Sequence, residues 1–249
     1  MGVSRRGSVL WGSLALVACA GVARAQDERR VTSPDGQLEF RLFVSQPGSD
    51  LLPQLAYQVR YRGRTAVDTS FLGFNIHNQV PMLGEKDGLT SSRSGEESGS
   101  YRWLIAEYMQ NGSLGRRINV EVRVWDHALA FRYVIPRSAP LDEILIEDEL
   151  TEFDVAGRGE FSGGRLPAAI GTPAGWIGIL EVPEAGFPMM SLARTPGGVP
   201  AAQLERDGAN PAVAFEGRTP LVCPWRVVSF GGTREEVLNS TVARVLRAE

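Results

Sequence analysis

Apolar and polar residues alternate with a period of two along much of the chain. Leu38, Phe40, Leu42 and Val44 are separated by Glu39, Arg41 and Phe43, and Leu55, Tyr57, Val59 and Tyr61 by Ala56, Gln58 and Arg60. Ile118, Val120, Val122 and Val124 repeat the pattern, which resumes after Asp126-His127-Ala128 with Leu129, Phe131 and Tyr133, so this stretch predicts a hairpin. Further short strands are predicted at Trp103 to Glu107, Trp176 to Glu181, Met189 to Ala193, Ala212 to Phe215 and Val222 to Phe230. Turn residues punctuate them at Ser33-Pro34-Asp35-Gly36, Pro196-Gly197-Gly198, Asp207-Gly208 and Gly231-Gly232. The clear helix start is Thr233, with Glu236 three residues on as a capping box. Ser91 to Ser100 is polar, rich in Gly and Ser and without period, and predicts a flexible surface loop. So many strands with one short C-terminal helix predict an all-β fold of two large, mainly antiparallel sheets packed as a sandwich.

Length and composition narrow this picture. The 249 residues are 43% hydrophobic and 22% charged, an ordinary globular balance, and no boundary or repeat divides them. They are too few for a complete (β/α)8 barrel plus a sandwich. The net charge of −3 and the lack of a basic run exclude the footprint that nucleic acid requires.

The first 25 residues predict an export signal rather than structure. Arg5 and Arg6 precede an apolar stretch from Val9 to Ala18, and Ala23-Arg24-Ala25 has the small-x-small form of a cleavage site. The expected mature domain is 26–249, extracytoplasmic, whether periplasmic or secreted. Leu16-Val17-Ala18-Cys19 offers an alternative, a lipobox that would anchor the protein to a membrane through Cys19. Cleavage after Ala25 leaves Cys223 alone, so the domain must hold together without an internal disulfide.

The chain lacks the usual catalytic motifs. His77, His127 and Cys223 are too dispersed for a zinc site, and G-x-S-x-G, P-loop and dinucleotide-binding fingerprints are absent. His127 is expected to be a solvated turn residue. Glu147, Asp148, Glu149 and Glu152 form an acidic cluster. On a regular strand Glu147 and Glu149 would share a face about 6.5 Å apart, within the range of about 5 to 9.5 Å that glycoside hydrolysis uses. Acids on the outside of a sandwich are nevertheless expected to be solvated. Glu181 differs because it ends an apolar run, Trp176 to Leu180, where a carboxylate must be solvated, paired or bound to a cation.

Taken in order, Ser33-Pro34-Asp35-Gly36, Leu55 to Val59 with Tyr61-Arg62-Gly63, Ser70-Phe71-Leu72-Gly73, Arg123 to Asp126 through Ala130 to Tyr133, Glu149-Leu150-Thr151-Glu152-Phe153, and Thr219-Pro220 with Pro224 to Val228 resemble the N-terminal domain of glycoside hydrolase family 97. The resemblance covers nearly all of the mature chain. It implies a galactose-mutarotase-like β-supersandwich, which in that family precedes a catalytic (β/α)8 barrel acting on α-glucosides or α-galactosides. The barrel carries the family's acid and base, so the resemblance implies no catalytic residue here. It implies a candidate partial calcium ligand in Glu181, completed only by a partner barrel, and it sets Phe187 near the place of a family tyrosine. Val182-Pro183 and the short, Gly-rich segment from Asp154 to Ile170 depart from the family pattern.

Three functions follow as expectations. The first is an exported carbohydrate-binding domain for α-glucosides or α-galactosides, with Phe187 and Trp176 as binding candidates and Trp103, Trp125 and Trp225 as further rings able to stack on sugars. The second is a non-catalytic subunit that completes the calcium site of a separately encoded glycosidase barrel. The third is a mutarotase- or epimerase-like enzyme, which needs His77 or His127 to converge with a carboxylate in one pocket.

Overall fold

The computed structural model describes residues 28–248 apart from 50, 85–86, 112–114, 138–141, 160, 162, 207 and 209. Residues 1–25, where an export signal is expected, and Cys19 with them, lie outside these residues. In chain order the first strands are β1 (Arg29–Thr32), β2 (Leu38–Ser45), β3 (Gln54–Tyr61), β4 (Arg64–Phe71), β5 (Phe74–Ile76) and β6 (Asp87–Glu97). Next come β7 (Tyr101–Gln110), β8 (Arg117–Val124), β9 (Ala128–Ile135), β10 (Glu143–Glu149), β11 (Gly164–Arg165) and β12 (Ala168–Thr172). The remainder is β13 (Gly175–Val182), β14 (Met190–Arg194), β15 (Pro200–Leu204), β16 (Phe215–Arg218), β17 (Leu221–Val222), β18 (Trp225–Gly231), α1 (Arg234–Leu238) and α2 (Thr241–Arg247).

The all-β expectation holds, and hydrogen bonding divides the strands into four antiparallel sheets. The largest has eight strands, ordered β12-β13-β18-β9-β8-β7-β6 with β17 beside β9. A four-stranded meander, β1 to β4, packs against it. Two three-stranded sheets, β16-β10-β5 and β11-β14-β15, complete the fold. The period-two residues supply the core: Leu38, Phe40, Leu42, Tyr57 and Val59 face Ile118, Val120, Val122, Leu129 and Phe131. Phe131 lies 6.1 Å from Phe40 and 5.2 Å from Tyr57, centroid to centroid, so aromatic contacts tie the two sheets together. Each such side chain contributes about 1.5 to 3 kcal/mol by leaving water.

Three elements differ from the sequence reading. Ser91 to Ser100 is not a loop, because β6 runs through most of it and pairs with β7 along the edge of the large sheet. Neither of its faces is buried, so no hydrophobic period reveals it. The strand is held at Gly95, where the Trp103 ring lies so close that an added Cβ would sit 2.6 Å from it. This is an aromatic covering the gap left by an edge glycine. The strand expected at Ala212 to Phe215 instead begins at Phe215, because Ala212 closes a turn on the Asn210 side chain at 3.3 Å. A second helix, α2, follows α1. It buries Val242, Ala243 and Leu246 on the outer side of the large sheet against Leu180, Val182, Trp225 and Val227. The capping box at Thr233 and Glu236 forms as predicted.

Candidate functional site

Glu181 is paired. Strand β13 sets it directly opposite Arg226 on β18, and both point to the sandwich interior with Ile177, Ile179, Val228 and Phe230. The Arg226 guanidinium donates from Nη1 to Glu181 Oε1, from Nε to Glu149 Oε1 at 3.1 Å, and from Nη2 to Glu149 Oε2. The second Glu181 oxygen accepts the Met190 N–H at 3.0 Å. All three side chains are sealed from solvent, at 1% exposure for Arg226, 0% for Glu149 and 3% for Glu181. Burial alone would lower the Arg226 pKa, but the Glu149 carboxylate and then Glu181 outweigh it, so the guanidinium pKa is raised. Burial also pushes the neighbouring Cys223 thiol up, far from a reactive thiolate.

Glu149 corrects the sequence reading twice. It is buried rather than solvated, and it does not share a face with Glu147. The pairing of β10 with β5 shifts register between Ile146 and Asp148, and this bulge turns Glu149 inward while Glu147 stays near the surface. There Glu147 meets His77 Nδ1 at 2.9 Å. The two carboxylates therefore do not form a catalytic pair across an open cleft.

Calcium takes about six to eight oxygen ligands. Both Glu181 oxygens are already engaged, and among the described residues no group of three or more His, Cys, Asp or Glu converges. The described residues do not by themselves fit a calcium site. Beside Glu181 opens a cavity of about 560 Å³, lined among others by Leu166, Pro183, Met189, Leu238 and Ala243.

Trp176 has a different setting. At the start of β13 its ring covers Gly171, its cross-strand partner on β12, and remains partly exposed. It lines a groove of about 360 Å³ with Tyr61, Arg62, Arg64, Thr65 and Thr172. The two-residue turn Arg62-Gly63 joins β3 to β4 with φ of 50° and 76°, the left-handed pair that a tight hairpin requires. Its backbone is tied down by the Arg62 N–H, which donates to the Gln37 carbonyl at 2.8 Å. The Arg62 guanidinium lies 4.9 Å over the Tyr61 ring, which itself stacks on Phe230 at 4.8 Å. Nothing in the sequence pattern joined Trp176 to Tyr61, because the two meet only once the meander closes on the large sheet.

The other candidates lie elsewhere. Phe187 is buried against Phe215, with ring centroids 4.9 Å apart, and its ring belongs to the core cluster. Trp125 and Trp225 are buried under their own neighbours: Tyr101 lies 4.8 Å from Trp125, and Arg132 sits 4.3 Å over Trp225. Trp103, partly exposed, borders a recess of about 180 Å³ with Tyr101, Ile105, Glu121, Arg123 and Trp225. His127 is exposed in its turn and lies 3.2 Å from the Thr241 hydroxyl. His127 lines a separate recess with Glu235 and Glu236, and the Glu236 carboxylate is engaged by the Gly232 and Thr233 N–H groups. No helix among the described residues is long and apolar enough to cross a membrane.

Comparison with known proteins agrees with this architecture. Residues 31–162 match the family described as Glycosyl-hydrolase 97 N-terminal. A Glycoside Hydrolase Family 97 enzyme from Pseudoalteromonas sp. strain K8, solved in complex with panose and also with acarbose, superposes with a TM-score of 0.72 at 20% identity. That match covers 86% of this chain and 37% of the enzyme. A beta-arabinopyranosidase superposes with a TM-score of 0.66 at 19% identity over 82% of this chain and 40% of its own. The chain thus spans little more than a third of the length of the enzymes it resembles. No curated protein matches its sequence. With more than half of its residues matched in sequence and the sandwich shared in three dimensions, the chain belongs to the glycosyl hydrolase 97 N-terminal family.

Proposed function

We propose that this domain is a non-catalytic carbohydrate-recognition module that takes a sugar in the groove beside Trp176. The observation that carries the reading is the partly exposed Trp176 ring in a preformed groove whose other walls supply Tyr61, two arginines and two threonines. An indole face suits the C–H face of a pyranose, while a few fixed donors and acceptors orient its hydroxyls. Saccharide-processing relatives of the same fold support the choice of ligand, α-glucosides and α-galactosides being the first to test. The proposal includes export through the leader at 1–25, with anchoring at Cys19 as the alternative. Thermal-shift titration of the protein with α-gluco- and α-galacto-oligosaccharides tests it, because a ligand that binds only the folded state raises the midpoint. A saturable rise with one glycan, lost in Trp176→Ala while the circular dichroism spectrum is unchanged, is expected. Flat curves across this panel, and with acidic oligosaccharides as well, would remove the reading.

A second reading, an accessory subunit docking onto a glycosidase barrel, is favoured by one observation. Met189 and Val245 are 52% and 50% exposed, and Met189 lines the cavity beside Glu181. It predicts that Met189→Asp abolishes co-purification with a co-expressed family 97 barrel but leaves saccharide binding at the Trp176 groove intact. Calcium enters the proposal only in that second form, with the partner supplying the remaining ligands.

A further inference from the structure

Both charged side chains that line the Trp176 groove are arginines, Arg62 and Arg64, and no carboxylate is among the lining residues. This runs against the rest of the surface. The chain carries more acids than bases, and many of its other partly or fully exposed arginines are paired, among them Arg30 with Glu28, Arg102 with Glu96, Arg206 with Asp148 and Arg218 with Glu143. Arg62 is held by its turn and by the Tyr61 ring under its guanidinium, an arrangement that uses the planar face of the group and leaves its in-plane N–H edge for hydrogen bonds. Arg64 begins the next strand directly opposite Tyr61, so both cations stand at one end of the groove. Asp35 is the nearby acid that feels Arg62, and its carboxylate is engaged by the Ser33 hydroxyl at 2.5 Å and the Gln37 N–H at 2.9 Å.

We infer that the groove takes an acidic sugar, a hexuronate whose ring lies on Trp176 and whose carboxylate is bound by Arg62 and Arg64. The inference rests on the carbohydrate reading above and adds the ligand's charge to it. Guanidinium and carboxylate match as planar, two-pronged partners, and the charge-assisted bonds between them are stronger than bonds to a neutral hydroxyl. A neutral hexose would leave two adjacent cations in the groove without a counter-charge.

Isothermal titration of the protein with trigalacturonate and with a glucuronate-terminated disaccharide, each compared with its own methyl ester, separates charge from shape. At least one acid is expected to bind tenfold or more tightly than its ester, with affinity falling as salt is raised. The double variant Arg62→Gln, Arg64→Gln is expected to erase that preference, so that acid and ester bind alike. Trp176→Ala is expected to weaken acid and ester together. Equal binding of acid and ester, with both lost in Trp176→Ala, would overturn the acidic ligand and leave the carbohydrate reading standing. Acid preference that survives the double arginine variant would likewise overturn it by placing the anion elsewhere. No binding of these acids or esters, or of the neutral oligosaccharides, would remove both readings at once.

Discussion

Replacing Arg226 by methionine isolates what holds Glu149 and Glu181 inside the sandwich. The substitution keeps an unbranched, space-filling side chain on β18 but removes all three N–H bonds to the two carboxylates. Two buried acids are then left without their cation, a change that costs about 3 to 5 kcal/mol in comparable sites. A domain of this kind has about 5 to 15 kcal/mol in all, so the variant should be close to unfolding at moderate urea. Urea denaturation followed by tryptophan fluorescence at pH 7 measures the loss, and two further variants test its origin. Glu149 takes two of the three bonds, so Glu149→Gln should cost more than Glu181→Gln, whose amide oxygen can still accept from the Met190 N–H. Replacing all three residues together by apolar ones of similar volume should cost less than Arg226→Met alone, because no unpaired charge remains. A loss below about 1 kcal/mol for Arg226→Met, the level of an exposed ion pair, or a larger loss for Glu181→Gln than for Glu149→Gln, would refute the argument.

Other sites give simpler tests. Asp87 begins β6 with both carboxylate oxygens buried. Burial raises its pKa from 3.8 to about 6, against the opposing pull of Arg116. The folded state then holds this proton more tightly than the unfolded one, so stability is greatest below about pH 4 for this group and is lost as pH rises toward 6. The loss is about 1 to 2 kcal/mol once solvent screening is allowed for, and Asp87→Asn should remove it from a plot of stability against pH. A wild-type curve without that fall would refute the assignment. Gly178→Ala should cost about 1 to 3 kcal/mol, since its Cβ would sit 2.4 Å from the Ser229 hydroxyl and 2.6 Å from the Val237 carbonyl of α1; a neutral urea curve would contradict the close helix approach. Thr233→Ala removes the hydroxyl that accepts the Glu236 N–H at 3.2 Å and should cost about 1 kcal/mol.

The strands that the sequence revealed are those with one face in the core. Leu38 to Val44 and Ile118 to Val124 alternate because every second residue meets the opposite sheet. Strand β6 escaped notice because its stability comes from pairing with β7 and from the Trp103 ring over Gly95, neither of which leaves a hydrophobic period. The bulge in β10 is invisible for a related reason. One extra residue reverses which side chains face inward, so Glu149 reads as an outside acid when it is an inside one. The demand that Glu181 be solvated, paired or bound to a cation followed from its place at the end of the apolar run Trp176 to Leu180. Its partner did not, because Arg226 comes opposite only through the register of two strands far apart in sequence. The groove was legible by one residue, Trp176, while Tyr61, Arg62 and Arg64 arrive from another sheet.

Calcium dependence separates a self-sufficient sugar-binding domain from one that needs a partner. For Glu181 to take up a cation it must give up its bond to Arg226, while Glu149 can keep the guanidinium through its own two bonds. Arg226 therefore stays in place as a fixed positive charge beside any ion bound by Glu181. With no second or third acidic ligand converging there among the described residues, the site is set against calcium in the domain alone. A dissociation constant at or above 1 mM stabilises the fold by no more than about 0.4 kcal/mol at 1 mM calcium, which for a domain of this length is a rise of less than about 2 °C in Tm. Scanning calorimetry with calcium and with a chelator should show a difference no larger than that, unchanged in Glu181→Gln. A saturable rise above about 5 °C that disappears in Glu181→Gln would show that the carboxylate leaves Arg226 readily, and the sealed ion triad would then be the wrong description of its resting state.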